Sequence, residues 1–213
     1  MANTRAFDEN AKAYDDWFED HKSFYESELA AIRSLIPTTG KGIEIGVGTG
    51  RFAEPLGIGV GIEPSPAMRA IARERGISAI DGVAEKLPVE SETFDYALFV
   101  TTICFLDSLN QAFSETFRIL KPKGIVVIGF IEKESALGRI YQQRKAESRF
   151  YREASFHTAG EIIRALEATG FTDFSFVQTL FSGEEETGAV QPFKEGYGDG
   201  AFVVVRAKKP DNA

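Results

Sequence analysis

The residues most able to do chemistry lie in one short stretch. Glu44-Ile45-Gly46-Val47-Gly48-Thr49-Gly50 sets glycines at alternate positions behind an acid. Glycines so placed let the backbone turn tightly and let a ligand approach with no Cβ in the way. A second acid, Glu63, ends the next apolar run. A carboxylate there can accept both hydroxyls of a ribose, which suits several nucleoside cofactors, NAD among them. Glu44 discriminates better. A carboxylate beside the loop suits a cationic ligand and repels a pyrophosphate. Its plainer reading is a cap on nearby backbone amides. The dinucleotide fingerprint also asks for glycine at position 51, where this chain has Arg51. The loop by itself leaves an NAD-dependent oxidoreductase as an alternative, and a cofactor-binding protein without turnover as another.

The elements that must hold these residues can be read from apolar runs and punctuation. Strands are expected at 43–47, 59–63, 77–80, 94–101, 124–131, 171–181 and 201–207. Ser65 can cap a helix, Pro66 suits its first turn, and Gly76 stops it. Leu109, Ala112, Phe113, Phe117 and Leu120 recur at helical spacing before Lys121-Pro122-Lys123-Gly124. Thr158 and Glu161 form a capping box for a helix that Gly170 closes. Strand and helix alternating at this pace give βαβ units. The last two strands lack a helix between them and so pair antiparallel. The expected fold class is α/β: a Rossmann-like, doubly wound, mostly parallel seven-stranded sheet with an antiparallel C-terminal strand pair. Ligands of such sheets sit at the carboxyl ends of the strands.

The chain has 213 residues, enough for one domain with a full core. Basic residues number 24 and acidic residues 32, a net charge of −8, which disfavours a nucleic-acid partner. The lone Cys104 and two histidines leave no disulfide and no usual zinc site. The longest uncharged apolar stretch, Tyr96–Leu106, is too short to span a membrane. No secretory signal is visible, so the setting read from the sequence is cytoplasmic.

Several motifs in order resemble one family. They are Glu44-x-Gly46-x-Gly48-x-Gly50, Glu63-Pro64-Ser65, Gly82-Val83-Ala84-Glu85-Lys86-Leu87-Pro88, Thr93-Phe94-Asp95, and Arg118-Ile119-Leu120-Lys121-Pro122-Lys123-Gly124. Together they look like the class I S-adenosylmethionine-dependent methyltransferases, in particular the type 11 branch. The resemblance is strong over about residues 40–131. It implies S-adenosylmethionine as cofactor, with Glu44 and the loop Gly46, Gly48, Thr49 and Gly50 around its methionine part. It implies Glu63 on the ribose, Pro64 and Met68 against the adenine, and Thr101 behind the cofactor. Val83 and Ala84 would read the adenine edge. The family often has an Asp where Val83 stands, and Asp81 is the candidate to replace it.

Methyl transfer from such a donor is an in-line displacement, which needs alignment and exclusion of water but no metal. A base is needed only where the acceptor is protonated, and Tyr14 and His157 are the weak candidates. The layout expected is a single domain. It comprises a helical N-terminal lid (1–39), a cofactor-binding core (40–131), a helical insertion (132–160), and a C-terminal helix and strand pair (161–213). Tyr14 and Trp17 would belong to the lid. The insertion carries Arg139, Arg144, Lys145, Arg149 and Arg152 beside Phe150 and Tyr151. As a lid it would take an anionic or aromatic small-molecule acceptor; as a plain helix it would only be a solvated face. Cys104 reads as an inert small hydrophobe. Gly183-Glu184-Glu185-Glu186 reads as a solvated loop, and Tyr197 as a residue reaching the pocket. An oligomer is compatible with all of this.

Overall fold

A computed structural model describes residues 4–182 and 188–211. The chain opens with two helices, α1 (Arg5–Asp20) and α2 (Lys22–Leu35). β1 (Gly42–Ile45), a single turn α3 (Ala53–Leu56), β2 (Val60–Ile62), α4 (Pro66–Glu74) and β3 (Ser78–Ile80) follow. Next come β4 (Phe94–Val100), α5 (Leu109–Ile119), β5 (Leu120–Ile131), α6 (Ala136–Gln143) and α7 (Ala159–Thr169). The chain closes with β6 (Thr172–Thr179), β7 (Lys194–Glu195) and β8 (Phe202–Lys208).

The strands form one sheet in the order β3-β2-β1-β4-β5-β8-β6-β7. The first five positions pair in parallel and β8 joins β5 antiparallel, as does β6 with β8. The expected mostly parallel Rossmann-like sheet is therefore present, with eight strands rather than seven. The extra strand is β7, two exposed charged residues on the edge against Val177 and Gln178. Lys194-Glu195 carries no apolar alternation, so it has no strand signal of its own.

Both faces of the central strands are buried. Along β4, Tyr96, Leu98 and Val100 pack into the core beneath α1 and α2, while Phe94, Ala97 and Phe99 pack against α5 and α7. This explains why the run is almost wholly apolar instead of alternating. The helix ends follow their side chains. Ser65 accepts from the Met68 amide at 3.2 Å, and Pro66 occupies the first turn of α4. Thr158 and Glu161 make the reciprocal capping box of α7, and Gly170 ends it left-handed at φ 101.

The insertion is less helical than its length allows. α6 spans two turns, and short 3-10 turns at Lys145–Glu147 and Tyr151–Glu153 follow. The acidic run from Gly183 to Glu186 lies outside the described residues. Among the described residues no helix is long and apolar enough to cross a membrane. No group of three potential metal-ligating side chains occurs among them either.

Candidate active site

A cavity of about 1060 Å³, counting its open mouth, lies at the carboxyl ends of β1, β2 and β4. Its floor is the glycine loop. Gly46 and Val47 donate to the Ile62 carbonyl at 2.8 and 3.0 Å, which ties the loop to the end of β2. Gly46 has φ +73, and a Cβ there would overlap Thr102. Gly48 has φ +54, and a Cβ there would point toward Met68 and Tyr14. Both positions therefore need glycine, Gly46 for space and backbone alike.

Glu63 faces this cavity and is 7% exposed. One carboxylate oxygen accepts from the Gly48 amide at 3.0 Å and the other from the Ser65 amide at 2.8 Å. Burial raises its pKa, and the two amides pull it back down. Glu44 is placed differently. It is 1% exposed and does not line the cavity. Burial holds its carboxyl well above the usual range, with the Ala53 amide opposing. Its Oε2 is buried and has no hydrogen-bond partner.

Of the residues singled out in the sequence, Tyr14, Gly46, Gly48, Glu63, Pro64, Met68, Val83, Ala84 and Thr101 all line the cavity. Thr49 and Gly50 are buried behind the loop and do not. The Thr49 carbonyl accepts from Arg75 at 2.8 Å. Asp81 is turned away. Its side chain is 74% exposed and pairs with Arg69 at 2.7 Å, because α4 presents that guanidinium just outside β3. Thr101 has φ +49, a left-handed conformation for a β-branched residue, and its amide donates to Gly129 at 2.8 Å. Backbone strain of this kind collects at functional walls.

The roof is aromatic. Phe7, Tyr14 and Phe105 line the cavity. Phe7 meets Phe105 edge-on at 5.2 Å and stacks on Phe150 at 5.5 Å. Tyr14 meets Phe150 edge-on at 5.6 Å. Burial, with the charges of Glu63, Glu44 and Glu28, raises the Tyr14 phenol far above its ordinary value. Thr4, Phe7 and Phe105 were not singled out in the sequence. An alternation of aromatics over Phe7, Tyr14 and Phe18 at helical spacing was the available signal.

An ion-pair network fixes α1 over the loop. Arg51 holds Asp15 through Nε at 2.9 Å and Nη2 at 2.7 Å, and Arg75 reaches the same carboxylate at 2.9 Å. Both arginines hold the Asp15 carboxyl well below the usual carboxylate range. Arg51, which breaks the dinucleotide pattern, thus latches the N-terminal helix. Trp17 stays out of the cavity and stacks on His21 at 4.6 Å.

Two other expectations are corrected. Tyr197 is 48% exposed and packs on Phe176 at 4.9 Å, far along the sheet edge, and does not reach the cavity. Arg149 and Arg152 are exposed and outside the lining; the insertion instead packs Phe150 and Tyr151, which do not line the cavity either, against the lining rings Phe7, Tyr14 and Phe105. His157 lines a second, smaller cavity with Thr101, Cys104 and Tyr151. It lies 3.7 Å from Glu161, and burial lowers its pKa. Cys104 is buried, and burial pushes its thiol up to about 12, which suits an inert role.

Residues 43–128 match the model of the type 11 methyltransferase-domain family. A solved S-adenosylmethionine-dependent methyltransferase from Thermotoga maritima, described as a possible histamine N-methyltransferase, is 47% identical. It superposes with a TM-score of 0.94 over 97% of this chain and 99% of that one. An uncharacterized protein of Methanocaldococcus jannaschii is 41% identical over 95% of this chain and 98% of its own. Phosphoethanolamine N-methyltransferase 2 of Haemonchus contortus, solved with S-adenosyl-L-methionine, shares the fold at 18% identity. Its TM-score is 0.62, over 87% of this chain and 52% of that one.

Proposed function

This chain belongs to the class I S-adenosylmethionine-dependent methyltransferases, type 11 branch, and on that premise we propose that the cavity under α1 binds S-adenosylmethionine beside a small aromatic-walled acceptor. The observation that carries the reading is the convergence of Gly46, Gly48, Glu63, Met68, Val83 and Thr101 on one cavity. S-adenosylmethionine supplies an activated methyl group that an acceptor lone pair displaces from sulfur, leaving a neutral thioether.

The residues fit that cofactor. Glu63 already has both oxygens oriented by backbone amides, and each keeps a lone pair for a ribose hydroxyl. Met68 and Pro64 offer an apolar wall for the adenine, and Val83 and Ala84 line its far side. Glu44 lies beneath the loop with an unpartnered buried oxygen; burial favours its neutral form, and a cationic ligand bound above it would favour the charged one. Thr101 and the aromatic roof complete the walls of the site.

The acceptor side is the space between Phe7, Tyr14 and Phe105. Among the described residues three acids, Glu63, Glu85 and Asp107, line the cavity, and no Lys or Arg does. The lining therefore favours an aromatic or cationic acceptor over an anionic one. The relative described as a possible histamine N-methyltransferase supports the same direction.

The test is calorimetry with S-adenosylhomocysteine and with NAD on the purified chain. Micromolar binding of the former and none of the latter is expected. Tighter binding of NAD would refute the site assignment, and absence of methyl transfer to every amine and phenol offered would leave a binding protein only.

A further inference from the structure

Polar side chains gather where the first turn of α5 meets the main cavity. The Ser108 hydroxyl caps that helix, accepting from the Gln111 amide at 3.3 Å. Two carboxylates brace α5 against the loop after β3. Glu85 Oε1 accepts from the Asp107 and Ser108 amides at 2.8 and 3.3 Å, and Glu115 Oε2 accepts from the Leu87 amide at 2.8 Å. Gln111 lies about one turn after the first brace and one turn before the second. It therefore stands beside that loop, and it lines the cavity together with Val83 and Ala84. Among the described residues no hydrogen bond engages its carboxamide. From Glu63 the wall continues through Pro64 and Met68 to Val83 and Ala84, since β2 and β3 are neighbours in the sheet. A base attached to a ribose at Glu63 thus has an apolar wall along it and α5 at its rim.

The edge of a purine states which side chain it needs. A 6-aminopurine presents a donor at N6 beside an acceptor at N7, which a carboxamide matches with one acceptor and one donor. A 6-oxopurine presents two acceptors, O6 and N7, which suit Arg or Lys. Among the described residues no Arg or Lys lines the cavity. We propose that Gln111 reads the base of the cofactor, Oε1 accepting from the 6-amino group and Nε2 donating to N7, so that the site takes adenine and refuses a 6-oxopurine. This rests on the methyltransferase reading and gives its cofactor choice a residue. The loop after β3 puts the apolar side chains of Val83 and Ala84 here, which leaves the side-chain contact to α5. Glu85 and Asp107 line the same end, and as carboxylates they can only accept, which adds to the refusal of an oxo group.

The experiment is calorimetry with S-adenosylhomocysteine and S-inosylhomocysteine, which differ in carrying a 6-amino or a 6-oxo group. The wild type should bind the first at least ~10-fold more tightly, a difference of about 1.4 kcal/mol. Gln111→Ala should bring that ratio below ~3-fold by weakening S-adenosylhomocysteine. The variant should fold, because Gln111 is exposed and its bond to Ser108 uses the backbone. The ratio is the readout, since damage to the structure would weaken both ligands alike. A wild type that binds the two equally overturns the proposal, with no variant needed. A variant that keeps the wild-type ratio overturns the role of Gln111, and parallel loss of both ligands does the same. A wild type that binds neither overturns the methyltransferase reading and this proposal with it.

Discussion

The floor and the roof of the cavity are built by different means. The floor is held by backbone bonds: Gly46 and Val47 on Ile62, Glu63 on Ile80, and the Gly48 and Ser65 amides on the Glu63 carboxylate. The roof is held by side chains: rings around Phe7, Tyr14 and Phe150, and the Asp15 carboxylate between Arg51 and Arg75. Backbone bonds demand one geometry whatever the side chains are. Side-chain contacts can be exchanged one at a time. A fold built this way keeps one cofactor while its roof is refitted to different acceptors.

The sharpest way to break the floor is at Gly46. Gly46→Val adds left-handed strain of ~1–2 kcal/mol and an overlap with Thr102 worth ~1–3 kcal/mol more. Loss of S-adenosylhomocysteine binding by more than ~100-fold and a lowered melting temperature are expected in calorimetry and thermal scans. A variant that still binds normally would mean the loop can shift, and the floor is no more rigid than the roof. Next in size is Glu63→Ala. Charge-assisted bonds are worth ~1.5–3 kcal/mol each, so at least ~10-fold weaker binding is expected. The fold should survive, since Glu63 ends a strand.

The same contrast decides what could be read from sequence. The floor was legible because its requirements act on residue types at fixed spacing. Glycine at 46 and 48 answers positive φ, and Glu63 answers the end of a strand. The order of parallel strands followed from apolar runs. The roof was not legible, because it is assembled from segments 143 residues apart, such as Phe7 and Phe150. Nothing local marks a ring that packs on another element. Basic residues of the insertion drew attention by count, whereas among the described residues it meets the roof through rings, Phe150 on Phe7 and Tyr14 and Tyr151 on Phe105. Gln111 gave no sequence signal either, since a glutamine on a helix is usually solvated; only its place on the cavity sets it apart. β7 lacked any pattern, and its pairing is decided by the neighbouring edge.

The latch of the roof gives an intermediate effect. Asp15→Asn removes the charge that two guanidinium groups share, at a cost of ~1–3 kcal/mol in stability. Its carboxyl is held below the ordinary range in the folded chain. Such a group adds stability above its unfolded value of about 3.9 and loses it as pH falls toward the folded value. The gap in stability between wild type and Asp15→Asn, read by denaturant titration, should thus be constant from about pH 5 to 8 and shrink below about pH 4. A gap that is the same at pH 3 as at pH 7 would show that the arginines do not depend on this carboxylate. S-adenosylhomocysteine affinity should fall only ~2–5-fold, because Arg51 and Arg75 touch the loop from behind.

The smallest effect tests what part of the insertion matters. Arg149 and Arg152 are exposed, and neither lines the cavity. Phe150, between them and the site, stacks on Phe7 and meets Tyr14 edge-on. If the insertion acts through rings, Arg149→Ala with Arg152→Ala should leave acceptor KM and cofactor affinity within ~2-fold, since exposed charges over ~10 Å from a ligand are screened at physiological salt. Phe150→Ala should raise the KM for an aromatic acceptor by ~3–10-fold with cofactor affinity intact, the loss of about one aromatic pair of ~0.5–1.5 kcal/mol. The double arginine variant raising KM more than Phe150→Ala does would reverse the order. It would mean that the roof selects by charge, and that the acidic lining of the cavity does not set the sign of the acceptor.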